Sequence, residues 1–134
     1  MADPIRLLIV DDNEDIISTF YEFFNSMGYE VKTAIDGFAA LKLFRDEALC
    51  FDCLITDLVM PNISGVGLIS IVKKENPRMK IIAMTGYGDK PGALASEAQA
   101  DVVLFKPIDL FKIENTVESL LNNDIEYDND NPKE

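Results

Sequence analysis

The sequence predicts a doubly wound α/β domain: a parallel five-stranded sheet with helices on both faces. Three observations carry this. Short apolar runs alternate five times with stretches of helical spacing. The connections between them are short and rich in turn-forming residues. Hydrophobic residues make up 48% of 134 residues, enough for one core in a chain of single-domain length.

Each element has its own reason. Ile5–Val10 is an apolar run broken only by Arg6 and bounded by Pro4 and Asp11, which reads as a buried parallel strand. From Asn13, the residues Ile16, Ile17, Phe20, Phe24 and Met27 recur at helical spacing, with Gly28 as the stop. Tyr29–Ala34 is the second strand. Phe38, Leu41 and Phe44, with Ala40 and Ala48, give a second amphipathic helix, expected to end near Cys50. Cys53–Asp57 is the third strand. Gly65–Glu75 carries Val66, Leu68, Ile69 and Val72 and ends before Asn76-Pro77. Lys80–Met84 is the fourth strand, followed by a glycine-rich loop over Gly86–Gly92 and a short small-residue helix over Ala93–Gln99. Val102–Phe105 is the fifth strand. Asp109 then caps a last helix whose apolar face is Leu110, Ile113, Val117, Leu120 and Leu121. The domain is expected over residues 1–123. Residues 124–134 hold five acids and read as a disordered acidic tail.

Composition excludes several functions. Twelve basic residues against twenty-four acidic ones give a formal charge of −12, which repels nucleic-acid phosphates and anionic lipid. No apolar run approaches the roughly 18 residues of a membrane span, so no membrane insertion and a cytoplasmic location are expected. The absence of histidine removes Ser-His-Asp and Cys-His catalysis and histidine metal sites. Cys50 and Cys53 form a lone C-x-x-C with no second ligand pair, and both are expected to be packing residues.

In a sheet of this kind the working site lies at the carboxyl ends of the strands. Strand one ends in Asp11-Asp12, strand three in Asp57, strand four in Thr85 and strand five in Lys106-Pro107. Singly, each has an ordinary role: a helix cap, an Asx turn, a turn hydroxyl, a solvated charge, a helix start. Together they put three carboxylates in a small space, where like charges repel unless a cation fills it. An oxygen-only set of acids suits Mg²⁺. Mg²⁺ beside a carboxylate, a lysine and a threonine hydroxyl describes a site for a phosphoryl group, with the carboxylate able to act as nucleophile.

These residues resemble the receiver domain of two-component response regulators. The resemblance covers roughly Arg6 to Leu121. It rests on Ile9-Val10-Asp11-Asp12, on Phe51-Asp52 through Asp57-x-x-Met60-Pro61-x-x-x-Gly65, on Thr85-Gly86-Tyr87-Gly88 and on Phe105-Lys106-Pro107. It implies a flavodoxin-like strand order 2-1-3-4-5. It implies Asp57 as phosphoacceptor, Asp12 as the main acidic Mg²⁺ ligand supported by Asp11, and Asp57 with the Val59 backbone carbonyl completing the protein share. Thr85 is implied as the switch hydroxyl, Lys106 as the lysine that pairs with the phosphoryl group, and Lys106-Pro107 as a cis peptide. The implied donor is a histidine kinase or histidine phosphotransfer protein. The implied readout is an altered face around the fourth and fifth strands and their helices, read by a protein target, with slow self-catalysed loss of the phosphoryl group. Two positions depart from the family's pattern: Val103 stands where many receivers carry an aromatic, and Gly86 where alanine is common.

Three other readings compete. A degenerate receiver that only docks proteins needs a missing site residue, and none is missing. A flavin electron carrier needs a Ser/Thr/Gly-rich loop after strand one, where this chain has Asp11-Asp12-Asn13-Glu14-Asp15. An Asp-nucleophile phosphatase needs a second aspartate two residues after the first, where this chain has Val59.

Overall fold

The computed structural model describes residues 3–60, 62–86 and 99–130, the last eight of these by backbone course alone. The expected loop beyond Gly86 and the expected helix before Gln99 lie outside the described residues. The elements are β1 (Arg6–Val10), α1 (Glu14–Ser26), β2 (Glu30–Ala34), α2 (Gly37–Phe44), β3 (Cys53–Asp57), α3 (Gly65–Glu75), β4 (Lys80–Thr85), β5 (Val102–Phe105) and α4 (Leu110–Asp130). The five strands form one sheet in the order β2-β1-β3-β4-β5. All four pairings are parallel, as the alternation of strands and helices requires.

Strand alternation divides the core into two layers. Leu8, Val10, Leu54, Ile81 and Ala83 face α2 and α3, where they meet Leu41, Leu68, Ile69 and Val72. Leu7, Ile9, Ile55, Ile82 and Met84 face α1 and α4, where they meet Phe20, Phe24, Ile113 and Val117. A strand buried on both faces cannot alternate apolar with polar, which explains the continuous apolar runs of β1, β3 and β4.

Helix ends follow side-chain chemistry. The Asn13 side chain accepts from the amides of Asp15 and Ile16, Asp36 from Ala39, and Ser64 from Gly67. Asp109 Oδ1 accepts from the Phe111 amide at 2.9 Å. Gly28 follows the end of α1 at φ 97°, a left-handed stop open to glycine.

Two expectations need correction. First, α2 stops at Phe44, and Cys50 lies in the following loop, exposed and at φ 39°. Asp46 accepts from the Ala48 amide at 3.0 Å, so the chain is already turning there. Only Cys53 is a packing residue. Second, Phe38 is exposed. The buried face of α2 is Gly37, Ala40 and Leu41, and a residue next to Gly37 is turned about 100° away from it. The α4 backbone runs as helix to Asp130.

Candidate functional site

The sheet brings Asp11, Asp12, Asp57 and Lys106 to one place. β1 and β3 are neighbours, so the acids that follow Val10 and Thr56 emerge side by side. Carboxylate oxygens of Asp11, Asp12 and Asp57 lie within 4.8 Å of one another. Asp11 is fully buried and Asp57 is 6% exposed, while Asp12 faces solvent. Lys106 enters from β5 and bridges the two buried acids, Nζ standing 2.9 Å from Asp11 Oδ2 and 3.2 Å from Asp57 Oδ2.

The second oxygen of each buried acid takes a backbone amide. Asn13 N–H donates to Asp11 Oδ1 at 2.9 Å, and Val59 N–H donates to Asp57 Oδ1 at 3.3 Å. All four oxygens are therefore hydrogen-bonded, as buried carboxylates require. Electrostatics is less balanced. Burial and the neighbouring Asp11 charge raise the Asp57 pKa, against the opposing pull of Lys106 and the Val59 amide. Burial by itself pulls Lys106 down, but its bonds and charge contacts with Asp11 and Asp57 outweigh this, and its pKa is raised. Lys106 therefore remains an ammonium, shared by the two buried carboxylates.

Thr85 ends β4 and is fully buried. Its carbonyl accepts from the Lys106 amide at 2.7 Å, which ties the base of the lysine to the threonine. The Lys106-Pro107 peptide is cis. The Val59 side chain is exposed, beyond the amide that bonds Asp57. Val103 is partly buried, packed against the layer under α2 and α3.

Two glycines fix the loop that carries Asp57. A Cβ on Gly65 would lie 1.9 Å from the Asp57 carbonyl oxygen and 2.6 Å from Leu58 Cα. No side chain fits there, so α3 begins directly against the end of β3. A Cβ on Gly37 would lie 2.5 Å from Ile63 Cβ, so the same loop also presses on the first turn of α2. The sequence marks Gly65 as a helix start and a motif residue, and gives neither Gly37 nor Asn13 a place at the site. Asn13 opens the first helical stretch in the sequence, but its backbone donation to Asp11 depends on the folded geometry.

Acid oxygens without nitrogen or sulfur donors fit a hard divalent cation, and Mg²⁺ is the ordinary choice for two or three carboxylates with water. A parallel doubly wound sheet with such a cluster at its switch point defines a class of α/β binding modules. The chain belongs to the response regulator receiver domain family, whose profile matches residues 7–118. It is 33% identical over 118 residues to the probable transcriptional regulator ycf27 of Cyanidium caldarium, covering 87% of this chain and 46% of that one. It is 34% identical over 107 residues to the transcriptional regulatory protein GlrR of Escherichia coli K12, covering 79% of this chain and 24% of that one. It thus spans about a quarter to a half of the curated relatives it matches. Among solved structures, a receiver domain protein from Clostridium thermocellum superimposes with a TM-score of 0.82 at 29% identity, covering 90% of this chain and 96% of that one. The response regulator TrrA of Thermotoga maritima, solved in complex with Mg²⁺ and BeF, gives 0.76 at 34% identity, covering 87% and 98%. Among the described residues no helix is long and apolar enough to cross a membrane.

Proposed function

We propose that this receiver domain accepts a phosphoryl group on Asp57 from the phosphohistidine of a histidine kinase or histidine phosphotransfer protein. The observation that carries the proposal is a nearly buried carboxylate beside two further acids, with one ammonium spanning it and Asp11. The donor's P–N bond breaks as a P–O bond forms on an Asp57 oxygen, and the imidazole leaves with the electron pair of the broken bond. Asp11, Asp12, Asp57 and the Val59 carbonyl are the oxygens that would hold Mg²⁺. When bound, Mg²⁺ supplies positive charge to the phosphoryl oxygens. Lys106 lies within reach of the group on Asp57 and can pair with it. Thr85 offers its hydroxyl from the neighbouring strand end. The same site releases the phosphoryl group to water slowly.

An apolar cavity of about 590 Å³ opens beside Lys106, lined by Ile16, Phe20, Met84, Pro107 and Ile108 among others, and offers a seat for the donor's apolar side chains. The output is a change in the face around β4, β5 and α4, read by a protein target. The receiver comprises residues 1–123, with 124–134 as an acidic extension, and works in the cytoplasm.

Labelling with acetyl phosphate in Mg²⁺ tests the acceptor. Asp57→Asn abolishes incorporation and Asp52→Asn keeps it, because Asp52 bonds the Arg6 amide at the opposite sheet edge. Chelation abolishes incorporation in the parent chain. Undiminished labelling of Asp57→Asn would overturn the assignment.

A further inference from the structure

Thr56 is a fully buried hydroxyl residue one position before Asp57, and its side chain takes no part in the acid cluster. Its register partners are Val10 on β1 and Ala83 on β4, and partners across a parallel sheet project to the same face. Both partners belong to the apolar layer under α2 and α3, which Leu54 and Leu58 also enter. Valine has nearly the same shape and would suit that layer, so the hydroxyl needs a reason other than packing. Its hydrogen bond supplies one: Thr56 Oγ1 donates to the Asp57 carbonyl oxygen at 2.9 Å. That carbonyl belongs to the peptide joining Asp57 to Leu58, whose N–H donates to the Met84 carbonyl at 2.9 Å. The next peptide is held at both ends as well. The Leu58 carbonyl accepts from the Gly65 amide at 3.0 Å, and the Val59 amide donates to Asp57 Oδ1 at 3.3 Å. Two successive peptides between the Asp57 carboxylate and the Val59 carbonyl are thus each fixed at both ends. Backbone groups and Asp57 itself make the other bonds, and the Thr56 hydroxyl is the contribution of another side chain.

We propose that Thr56 is a positioning residue for the acceptor site: its hydroxyl fixes the plane of the Asp57–Leu58 peptide, and with it the aim of the Asp57 carboxylate and of the Val59 carbonyl. The inference rests on Asp57 as the acceptor and on the Val59 carbonyl as a Mg²⁺ oxygen. Gly65 sets one limit on that peptide, since even a Cβ there would lie 1.9 Å from the Asp57 carbonyl oxygen. A steric wall only forbids, whereas a directed hydrogen bond selects one orientation of the oxygen. Without the hydroxyl, the carbonyl oxygen loses a buried donor and the peptide tilts to find another. The Val59 amide and carbonyl tilt with it. The carboxylate and carbonyl oxygens then no longer converge at the spacing that a small, octahedral cation demands.

Thr56→Val removes the hydroxyl and keeps the shape, whereas Thr56→Ser keeps the hydroxyl and removes a methyl group. The Mg²⁺ affinity of Thr56→Val, read by calorimetric titration, falls about three- to tenfold, the worth of one hydrogen bond. Without metal, the temperature dependence of its Val59 amide proton shift steepens in NMR, because the bond to Asp57 loosens. Its urea midpoint stays close to the parent value. Thr56→Ser binds Mg²⁺ as the parent does and leaves the Val59 amide unchanged, even though the lost methyl group lowers its urea midpoint. A merely structural role gives the reverse order, with Thr56→Ser the weaker Mg²⁺ binder, and overturns the proposal. Parent affinity for Mg²⁺ in Thr56→Val overturns it as well. Acetyl phosphate labelling of the parent and Asp57→Asn chains is run beside these measurements. Labelling that survives Asp57→Asn overturns the acceptor assignment. The Val59 amide, read without metal or phosphoryl donor, judges Thr56 separately, and its constancy in Thr56→Val overturns the role of Thr56 in either case.

Discussion

The two ends of the sheet both carry charges, and they handle them differently. At the amino ends, carboxylates are distributed one to a task. Asp52 takes the Arg6 amide at 2.9 Å, and Asp101 takes the Ile81 amide at 2.8 Å with Lys73 at 3.5 Å. Arg6 pairs with Glu30 at 2.9 Å and donates to the Leu49 carbonyl at 2.8 Å. At the carboxyl ends, three carboxylates converge, and two of them share one ammonium. The first arrangement extends strand pairing and serves the fold. The second leaves negative charge concentrated in a half-closed space, which costs stability and is sensible only where a cation or a new ligand is to be received. The difference separates charges that hold the molecule together from charges that do chemistry.

The largest break in that comparison comes from Lys106→Met. It leaves Asp11 and Asp57 facing each other without their counter-charge, and unfolding in the absence of divalent ions becomes easier by about 3 to 5 kcal/mol. Added Mg²⁺ recovers much of this, as urea titrations with and without the ion will show. Tyr29→Phe is next. The Tyr29 hydroxyl donates to the buried Glu114 carboxylate at 2.9 Å, and its loss costs about 1 to 3 kcal/mol, indifferent to Mg²⁺. Arg6→Met follows at about 1 to 2 kcal/mol, since the group is partly in water, again without a metal response.

The smallest effect has the opposite sign. Asp57→Asn removes a charge that burial and Asp11 disfavour, and it stabilises the ion-free protein by about 1 kcal/mol at neutral pH. An acid whose pKa is raised on folding destabilises the native state above that raised value. The penalty disappears as pH falls below the unfolded value near 3.9. The gain from Asp57→Asn therefore persists at pH 7 and fades toward pH 4. Thermal melts across that range check it, and a gain that grew in acid would contradict the assigned shift.

Much of this was legible in the sequence because two-sided burial writes itself as unbroken apolar runs. β3, α3 and β5 match their expected spans, and the residue at each strand end followed from where the run stopped. Asp11, Asp12, Asp57 and Lys106 could be placed together because a parallel sheet puts all its strand ends on one side. Helix α2 was less legible. Its apolar residues fit more than one face, and the face was chosen by Gly37 having to abut Ile63, a contact between distant residues. Cys50 failed for a related reason, since a short apolar stretch carries no mark of where a helix hands over to a loop. The sharing of Lys106 between two acids, and the amide bonds of Asn13 and Val59, depend on ångström-scale geometry that residue types do not encode.

The contact of Gly65 with the Asp57 carbonyl has a practical consequence for protein engineers. The acidic residue and the start of the next helix behave as one rigid casting. Anyone transplanting this site onto another scaffold would have to carry the whole turn across with its bare position at 65, and keep a second bare position, 37, on the helix that the turn presses against. Copying the acids and the lysine alone would leave the carboxylate aimed by whatever loop the new host supplied.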